Sequence, residues 1–212
     1  MKILIAKDEA FNFIYRANID SLARKGDVCF FSPLHDRRME KCDLLYLPGG
    51  YPELYLKEIT GNPDMMKYIR DYAENDGWIY AECGGFMYLS NNIDDTPMCG
   101  ILPFKATMQN ARLHLGYRQM EINAQVLNMQ VRNGEALNGE IPNEENDKEK
   151  MLIKGHEFHY SDVVEHEYDG IKIIRNQYSA KGTKVNTAIY EYRNVVAGYT
   201  HWYWAEHGFP FF

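Results

Sequence analysis

The sequence predicts an α/β fold with a mainly parallel central sheet, helices on both faces, and extra antiparallel strands in the second half. Short apolar runs alternate with segments of helical periodicity up to about residue 90, which is typical of βαβ units. Turns rich in glycine and proline end several of these runs. After residue 97 the pattern changes to short strands and turns. These observations favour a parallel sheet that is extended by antiparallel strands.

The first half contains four predicted strands and two predicted helices before a cysteine-containing turn. Residues 3–6 predict the first buried strand, and apolar positions at helical spacing predict a helix over residues 13–24. Asn62 is suited to cap a second helix, and Pro63 to occupy its first position, so we expect a helix over Pro63–Glu74. The other predicted strands of this half are residues 28–31, 44–47 and 78–81.

In the second half of the chain, the sequence predicts several strands and one surface loop. Residues 100–122 have the pattern of short strands and turns. Residues 133–150 are polar and acidic, and they predict a mobile surface loop rather than a linker between domains. We therefore expect one domain over residues 1–212. Further strands are predicted at residues 151–153, 158–160, 171–174, 188–190 and 195–199.

Composition excludes several classes of function. The net charge is −7 and no cluster of lysine and arginine occurs, which argues against a nucleic-acid partner. The four cysteines contain no CxxC pair, so we expect neither disulfides nor a metal site, and we expect a reducing, cytoplasmic location. The apolar run at residues 1–6 is too short for a signal peptide, and no segment is long enough to span a membrane. Neither of the common glycine-rich nucleotide-binding motifs is present, so no cofactor is expected in this chain.

The most informative segment is WIYAECGGFMYL at residues 78–89. An apolar strand leads directly to Cys83, two glycines follow, and an amphipathic segment then begins, which predicts a strand, a sharp turn and a helix. A cysteine in such a turn lies at the carboxyl end of a parallel strand, where open α/β sheets bind ligands. It also faces a helix N-terminus, which favours the thiolate. The turn resembles the nucleophile elbow of hydrolases. The alternative is a buried cysteine that only packs.

A histidine and two glycine turns complete a possible thiol acyl-transfer site. His201 follows the apolar strand predicted at residues 195–199, so we expect it near the same edge of the sheet as Cys83. Gly49 and Gly50 follow another strand and can present N–H groups to an oxyanion, together with the N–H of Gly84. The alternatives are an ordinary tight turn and a histidine that only ends a strand.

A second group of polar residues lies at residues 156–159. If this segment is a strand, His156 and Phe158 share one face, and Glu157 and His159 share the other. Such a group can bind substrate, orient a catalytic base, or satisfy only its own hydrogen bonds.

Several motifs together closely resemble the glutamine amidotransferase domain of cobyrinic acid a,c-diamide synthase. They occur in the same order as in that family and extend over nearly the whole chain: IAKDEAFNFIY (5–15), LPGGYPEL (47–54), YAECGGFMYL (80–89), LGYR (115–118), GHEFHYS (155–161) and YTHWYW (199–204).

The resemblance implies a flavodoxin-like, class I, triad-type glutamine amidotransferase fold that hydrolyses glutamine. By the same resemblance, Cys83 attacks the glutamine amide and His201 transfers the protons. Ammonia then goes to a carboxylate of a corrinoid precursor that ATP has activated. The implied oxyanion and substrate contacts are Gly49, Gly50 and Gly84. Further residues that we expect to orient His201 or contact substrate are Tyr117, Arg118, Glu157 and His159.

The chain departs from the family's wider pattern in two ways. Ordinary triad amidotransferases have a glutamate two positions after the histidine, where this chain has Tyr203; the cobyrinate branch also lacks it. Glu157 and Glu206 are then the carboxylates that we consider for orienting His201. The family's N-terminal ATP-binding synthetase domain is also missing, so the chain is either a separate subunit or a fragment. ATP and magnesium are expected only with that synthetase.

Three alternatives remain open from the sequence. The chain could be the glutaminase part of another amidoligase, acting on a different tetrapyrrole or on a cell-wall lipid precursor. A non-catalytic regulatory relative is a second reading, although Cys83 and His201 are both present. The third is a cysteine hydrolase or stress protein with the same architecture. Specificity for glutamine would distinguish it from the cobyrinate amidotransferase and from the glutaminase of another amidoligase.

Overall fold

A computed structural model describes residues 1–109, 111–123, 150–164 and 169–209. The predicted surface loop at 133–150 therefore lies outside the described residues, except for Lys150. The strands in chain order are β1 (Lys2–Ala6), β2 (Asp27–Phe31), β3 (Leu44–Leu47), β4 (Trp78–Glu82), β5 (Ser90–Ile93), β6 (Thr96–Pro97), β7 (Leu102–Thr107), β8 (His114–Asn123), β9 (Lys150–His159), β10 (Asp162–Val164), β11 (Lys172–Ile174), β12 (Gln177–Ser179), β13 (Ile189–Tyr192), β14 (Val195–Gly198) and β15 (His201–Tyr203). The α-helices are α1 (Arg16–Ala23), α2 (Leu56–Thr60), α3 (Pro63–Glu74) and α4 (Gly84–Leu89).

A seven-stranded sheet in the order β11-β13-β14-β4-β3-β1-β2 forms the centre of the molecule. Five neighbouring strands, from β14 to β2, are parallel, and β13 and β11 extend the sheet antiparallel. The parallel strands are short and almost wholly apolar because both faces of the sheet are covered. Their carboxyl ends lie together at one edge, and this edge carries the glycine turn after β3 and Cys83 after β4.

The hydrophobic core is divided between the two faces of the sheet. Alternate residues of β1, β3 and β4 contribute to each side, as the two-residue period of a strand requires. One side is covered by α2, α3 and α4, through residues such as Ile69 and Phe86. The other side is covered by α1 and by an antiparallel sheet, through Leu22, Ile153 and Trp202. The predicted α/β class, with helices on both faces, is confirmed.

Two smaller four-stranded sheets are built from strands that follow β4 in the chain. One has the order β10-β7-β5-β6, and the other has the order β12-β8-β9-β15 with all neighbours antiparallel. The second sheet is the important one for the site, because β15 begins at His201 and pairs it directly with His156 of β9. No helix in the described part of the chain is both long and apolar enough to cross a membrane.

Four predictions about local structure need correction. The helix predicted over residues 13–24 begins only at Arg16, because the N–H of Phe13 is bonded to the carbonyl of Gly49. The strands predicted at 151–153 and 158–160 are one continuous strand, β9, because β8 pairs along its whole length. Asn62 precedes α3 but makes no side-chain cap, since its amide donates to the carbonyls of Pro33 and Asp36. Finally, α4 is buried on all sides rather than amphipathic.

Candidate active site

Cys83 occupies a sharp turn between β4 and α4. Its φ of 45° and ψ of −105° are unusual for a residue with a side chain, and 5% of its surface is exposed. The N–H of Cys83 donates to the carbonyl of Gly198 at 2.8 Å, and the N–H of Gly85 donates to that of Pro48 at 3.0 Å. A Cβ on Gly85 would lie 2.1 Å from the carbonyl oxygen of Leu47, so only glycine permits this close approach. Neighbouring strands thus hold the turn on both sides.

Gly50 and Gly84 bring two backbone segments together beside Cys83. A Cβ on Gly84 would lie 2.8 Å from the carbonyl oxygen of Gly50 and 2.9 Å from its nitrogen. Within the described residues, no hydrogen bond uses the N–H of Gly50 or that of Gly84. Unused N–H groups next to a nucleophile are what an oxyanion needs. The geometry is therefore suited to stabilising a tetrahedral intermediate.

His201 is buried at the same edge, between the glycine turn and two aromatic rings. A Cβ on Gly49 would lie 2.1 Å from Cε1 of His201, so the missing side chain of Gly49 makes room for the imidazole. The ring of Phe13 meets the imidazole edge-on with centroids 4.6 Å apart, and the ring of His156 stacks on it at 4.9 Å. These contacts leave the imidazole little freedom to rotate.

The pKa of His201 reflects two nearby acidic groups. Burial lowers the pKa, but the Cys83 side chain and the Glu82 carboxylate raise it more strongly, to about 10. Nδ1 of His201 lies 3.8 Å from Oε2 of Glu82, which is an ion-pair distance but too long for a hydrogen bond. The imidazole next to Cys83 is therefore protonated at neutral pH.

Three residues form a row across the antiparallel sheet on one face. Tyr117 of β8 pairs with His156 of β9, which pairs with His201 of β15. The hydroxyl of Tyr15 lies 2.7 Å from Nδ1 of His156 and fixes that ring from the other side. Burial and the charge of His201 lower the pKa of His156. Tyr117 is 74% exposed, so the row leads from the buried imidazole to the surface.

Glu157 lies on the opposite face of the same sheet. The guanidinium of Arg118 donates to its carboxylate at 2.6 Å, and the hydroxyl of Thr200 donates at 3.2 Å. Nε2 of His159 is 3.9 Å from the carboxylate, beyond hydrogen-bond distance. Burial alone would raise the pKa of Glu157, but His159, Thr187 and Arg118 together lower it to about 2. Glu157 is therefore a buried anion, and its carboxylate accepts hydrogen bonds from Arg118 and Thr200.

The predicted residues thus fall into two groups. The structure brings together Gly49, Gly50, Cys83, Gly84 and His201, with Tyr117 at the outer end of the row. Arg118, Glu157 and His159 form a separate buried cluster, and the predicted division of residues 156–159 between two faces is confirmed. Glu206 is exposed and lies 3.7 Å from His207. The carboxylate at ion-pair distance from His201 is Glu82.

Three further residues, Glu82, Phe13 and Tyr15, contact His201 or His156, although no sequence prediction gave them a role. A signal for Glu82 existed, because it is a charged residue inside the apolar run that leads to Cys83. In the part of the chain that the structure describes, no group of three or more His, Cys, Asp or Glu side chains is arranged to hold a metal ion.

Solved structures identify the class of fold. The chain matches the structure of PurLQS from Thermotoga maritima with a TM-score of 0.56 and 16% identity, over 94% of this chain and 86% of that one. It matches the crystal structure of a glutamine amidotransferase with a TM-score of 0.55 and 14% identity, over 99% of this chain and 93% of that one. The fold is that of the class I glutamine amidotransferases.

Sequence relatives narrow the class to one family. The chain is 38% identical to the cobyrinate a,c-diamide synthase of Methanocaldococcus jannaschii over 77% of this chain, and 34% identical to that of Salmonella typhimurium over 97%. It spans 32% and 42% of the length of these relatives. Residues 2–209 match the CobB/CobQ-like glutamine amidotransferase domain, and the chain belongs to this family.

Replacing Gly49 by alanine tests the position of His201. Because the new Cβ would overlap Cε1, the imidazole has to move, and we expect glutamine hydrolysis to fall by about 100-fold, as misplacement of a reacting group by about 1 Å can do. Steady-state kinetics and circular dichroism would measure the loss and the retained fold. Gly61→Ala is the control, because its nearest neighbouring atom would lie 3.2 Å away. Full activity of Gly49→Ala would contradict this geometry.

Replacing Glu157 by glutamine tests the buried ion pair. Removing one partner leaves Arg118 uncompensated, so we expect a loss of about 3 kcal/mol in the free energy of unfolding at pH 7. Since folding lowers the pKa of Glu157 from 4.5 to about 2, its contribution is present above pH 4.5 and lost as the pH falls through 2.

Denaturant titrations between pH 7 and pH 2 would measure the difference between parent and variant. The difference in the free energy of unfolding should become smaller as the pH falls. Glu191→Gln, which removes a partly exposed partner of Lys172, should cost less than about 1 kcal/mol. A difference that stays constant with pH would show that Glu157 is not a buried anion.

Proposed function

We propose that this chain hydrolyses glutamine to glutamate and ammonia through a thioester on Cys83. The observation that carries this proposal is the position of Cys83 in a strained turn beside an imidazole whose pKa is raised to about 10. A histidine beside a cysteine can take up the thiol proton and so make the sulfur a nucleophile. Membership of the glutamine amidotransferase family supports glutamine as the substrate.

The proposed reaction uses Cys83 and His201 in two half-reactions. The Cys83 thiolate attacks the amide carbon of the glutamine side chain, and the N–H groups of Gly50 and Gly84 stabilise the oxyanion. His201 then donates its proton to the leaving nitrogen, the C–N bond breaks, and ammonia departs from a γ-glutamyl thioester. In the second half-reaction His201 accepts a proton from water as the water attacks the thioester. Glutamate is released and the thiolate–imidazolium pair is restored.

We further propose that the ammonia amidates the a and c carboxylates of cobyrinic acid in cobalamin biosynthesis. The support is the name that the relatives share, cobyrinate a,c-diamide synthase. Activation of those carboxylates needs ATP and Mg²⁺, which we assign to a separate synthetase domain or subunit. The corrinoid precursor would reach this chain's ammonia only through that partner. The four cysteines are free, which supports a reducing, cytoplasmic location.

The synthetase would cover the outer end of the row formed by Tyr117, His156 and His201. Ammonia released into water is lost, so the partner has to close over the edge of the sheet that holds Cys83. Tyr117 and Leu115 share a face of β8, and they are 74% and 63% exposed. Tyr203 of β15 is also partly exposed on this side. An exposed apolar surface next to the site supports docking there.

An alkylation experiment tests the proposed nucleophile. We expect 6-diazo-5-oxo-L-norleucine, a reactive analogue of glutamine, to form one adduct on Cys83, detected by mass spectrometry of proteolytic peptides. Excess glutamine should prevent the reaction, because both compounds would occupy the same site. The Cys83→Ala variant should form no adduct, while Cys29, which is partly buried at the far edge of the sheet, is an internal control. Labelling of Cys29 alone, in the presence of the synthetase, would contradict the proposal.

Introducing a charge tests the proposed docking surface. Placing a carboxylate at the interface, as in Leu115→Glu, should lower glutamine-dependent amidation by the synthetase by about 10-fold. Amidation driven by added ammonia should stay unchanged, because it does not need this chain. Tyr68→Glu, on the exposed face of α3, is the matched control. Equal rates in the parent and Leu115→Glu would exclude this surface.

A further inference from the structure

We propose that Glu82 is a positioning residue, whose carboxylate orients His201 and keeps its imidazole positively charged. This inference rests on the proposed role of His201 as the proton donor. It assigns a function to a residue to which no sequence prediction gave one. Glu82 directly precedes Cys83, so it links the nucleophile and its base.

The first observation is an unsatisfied nitrogen. Nδ1 of His201 is buried, and none of the residues that the structure describes forms a hydrogen bond with it. A buried N–H without an acceptor costs about 1–3 kcal/mol, so such a group in a native site needs a reason. Oε2 of Glu82 lies 3.8 Å from this nitrogen, and both side chains are almost completely buried. Catalytic hydrogen bonds are often long before substrate binds, and a shift of about 1 Å would close this one.

The second observation is that Glu82 is itself held in place. The hydroxyl of Tyr46 donates to Oε2 at 2.8 Å, and that of Tyr80 donates to Oε1 at 2.5 Å. Burial, together with the charge of Glu82, raises the pKa of both phenols, so they remain protonated donors. These hydrogen bonds fix the position of the carboxylate, which is almost completely buried.

The third observation is a contact to the backbone that carries the base. The N–H of Trp202, the residue after His201, donates to Oε1 of Glu82 at 3.0 Å. One carboxylate therefore reaches both the main chain and the ring of the histidine. Because Glu82 ends β4 and Cys83 follows it, the same contact fixes the distance between the nucleophile and β15.

The charges around His201 indicate the role of Glu82. The groups that face the imidazole are Cys83, Glu82, His156 and Phe13. His156, whose pKa is lowered, supplies no negative charge. When the thiolate becomes a thioester, Glu82 is therefore the remaining anion beside the imidazolium. With Nδ1 directed to Glu82, Nε2 is the nitrogen that faces Cys83 and the leaving ammonia.

The experiment is an NMR titration of His201 in the full chain, with ¹³C at Cε1 of histidine and with His201→Asn to assign the signal. In Glu82→Gln, we expect the pKa of His201 to fall by about 1 unit or more, because an opposite charge at this distance is lost. With the synthetase present, kcat for glutamine hydrolysis should fall by about 100-fold with little change in KM. The alkaline limb of the pH profile should move to lower pH. An unchanged pKa in a folded Glu82→Gln would overturn the inference.

A second variant separates positioning from a purely structural role. Tyr46→Phe removes a donor from Oε2, so this oxygen becomes more available to Nδ1, and the pKa of His201 should rise. A purely structural role predicts no rise, and an unchanged or lower pKa would count against the inference even if Glu82→Gln does not fold. Glu191→Gln should leave the titration unchanged. The titration needs no turnover, so an inactive parent would refute the proposed function while the pKa still decides the role of Glu82.

Discussion

The reversal of the chain at Cys83 is the constraint on which the site depends. A side-chain-bearing residue at positive φ costs about 1–3 kcal/mol, and it persists only where the surrounding structure enforces it. Here β14 accepts the N–H of Cys83, and the turn after β3 accepts that of Gly85. Both contacts come from strands that neighbour β4 in the central sheet. The parallel order of the sheet therefore determines where the sulfur is presented.

The antiparallel sheet β12-β8-β9-β15 contributes His201 and His156 to the site. Its strand β9 has two faces with different surroundings. Along β9, His156 points to the row that contains His201, while Glu157 points to Arg118. A shift of one residue in this strand would exchange these roles and bury His156 in place of Glu157. The long pairing of β8 with β9 prevents such a shift. Two neighbouring residues of one strand thus have different roles: His156 holds the imidazole of His201 in position, and Glu157 stabilises the fold through Arg118.

Much of this arrangement follows from local sequence. The sequence predicts Cys83 in a turn because an apolar run ends there at two glycines. It predicts α3 from Asn62 and Pro63, although Asn62 does not cap the helix. The sequence does not predict β9 as a single strand. Gly155 interrupts its apolar pattern, and its pairing with β8 and β15 is a long-range contact. The contacts of Glu82 come from Tyr46, Tyr80 and Trp202. Tyr80 is close to Glu82 in sequence, but only the folded sheet brings Tyr46 and Trp202 to its carboxylate.

The length of the β8–β9 ladder has a consequence for variation in the family. His156 pairs with Tyr117, whereas Asn123 pairs with Lys150 at the other end, six residue pairs away. At about 3.4 Å per residue, this end of the ladder lies about 20 Å from the stacked imidazoles. The number of residues that connect Asn123 to Lys150 can therefore change, or a reporter sequence can be inserted there, while the register that holds His156 on His201 is preserved.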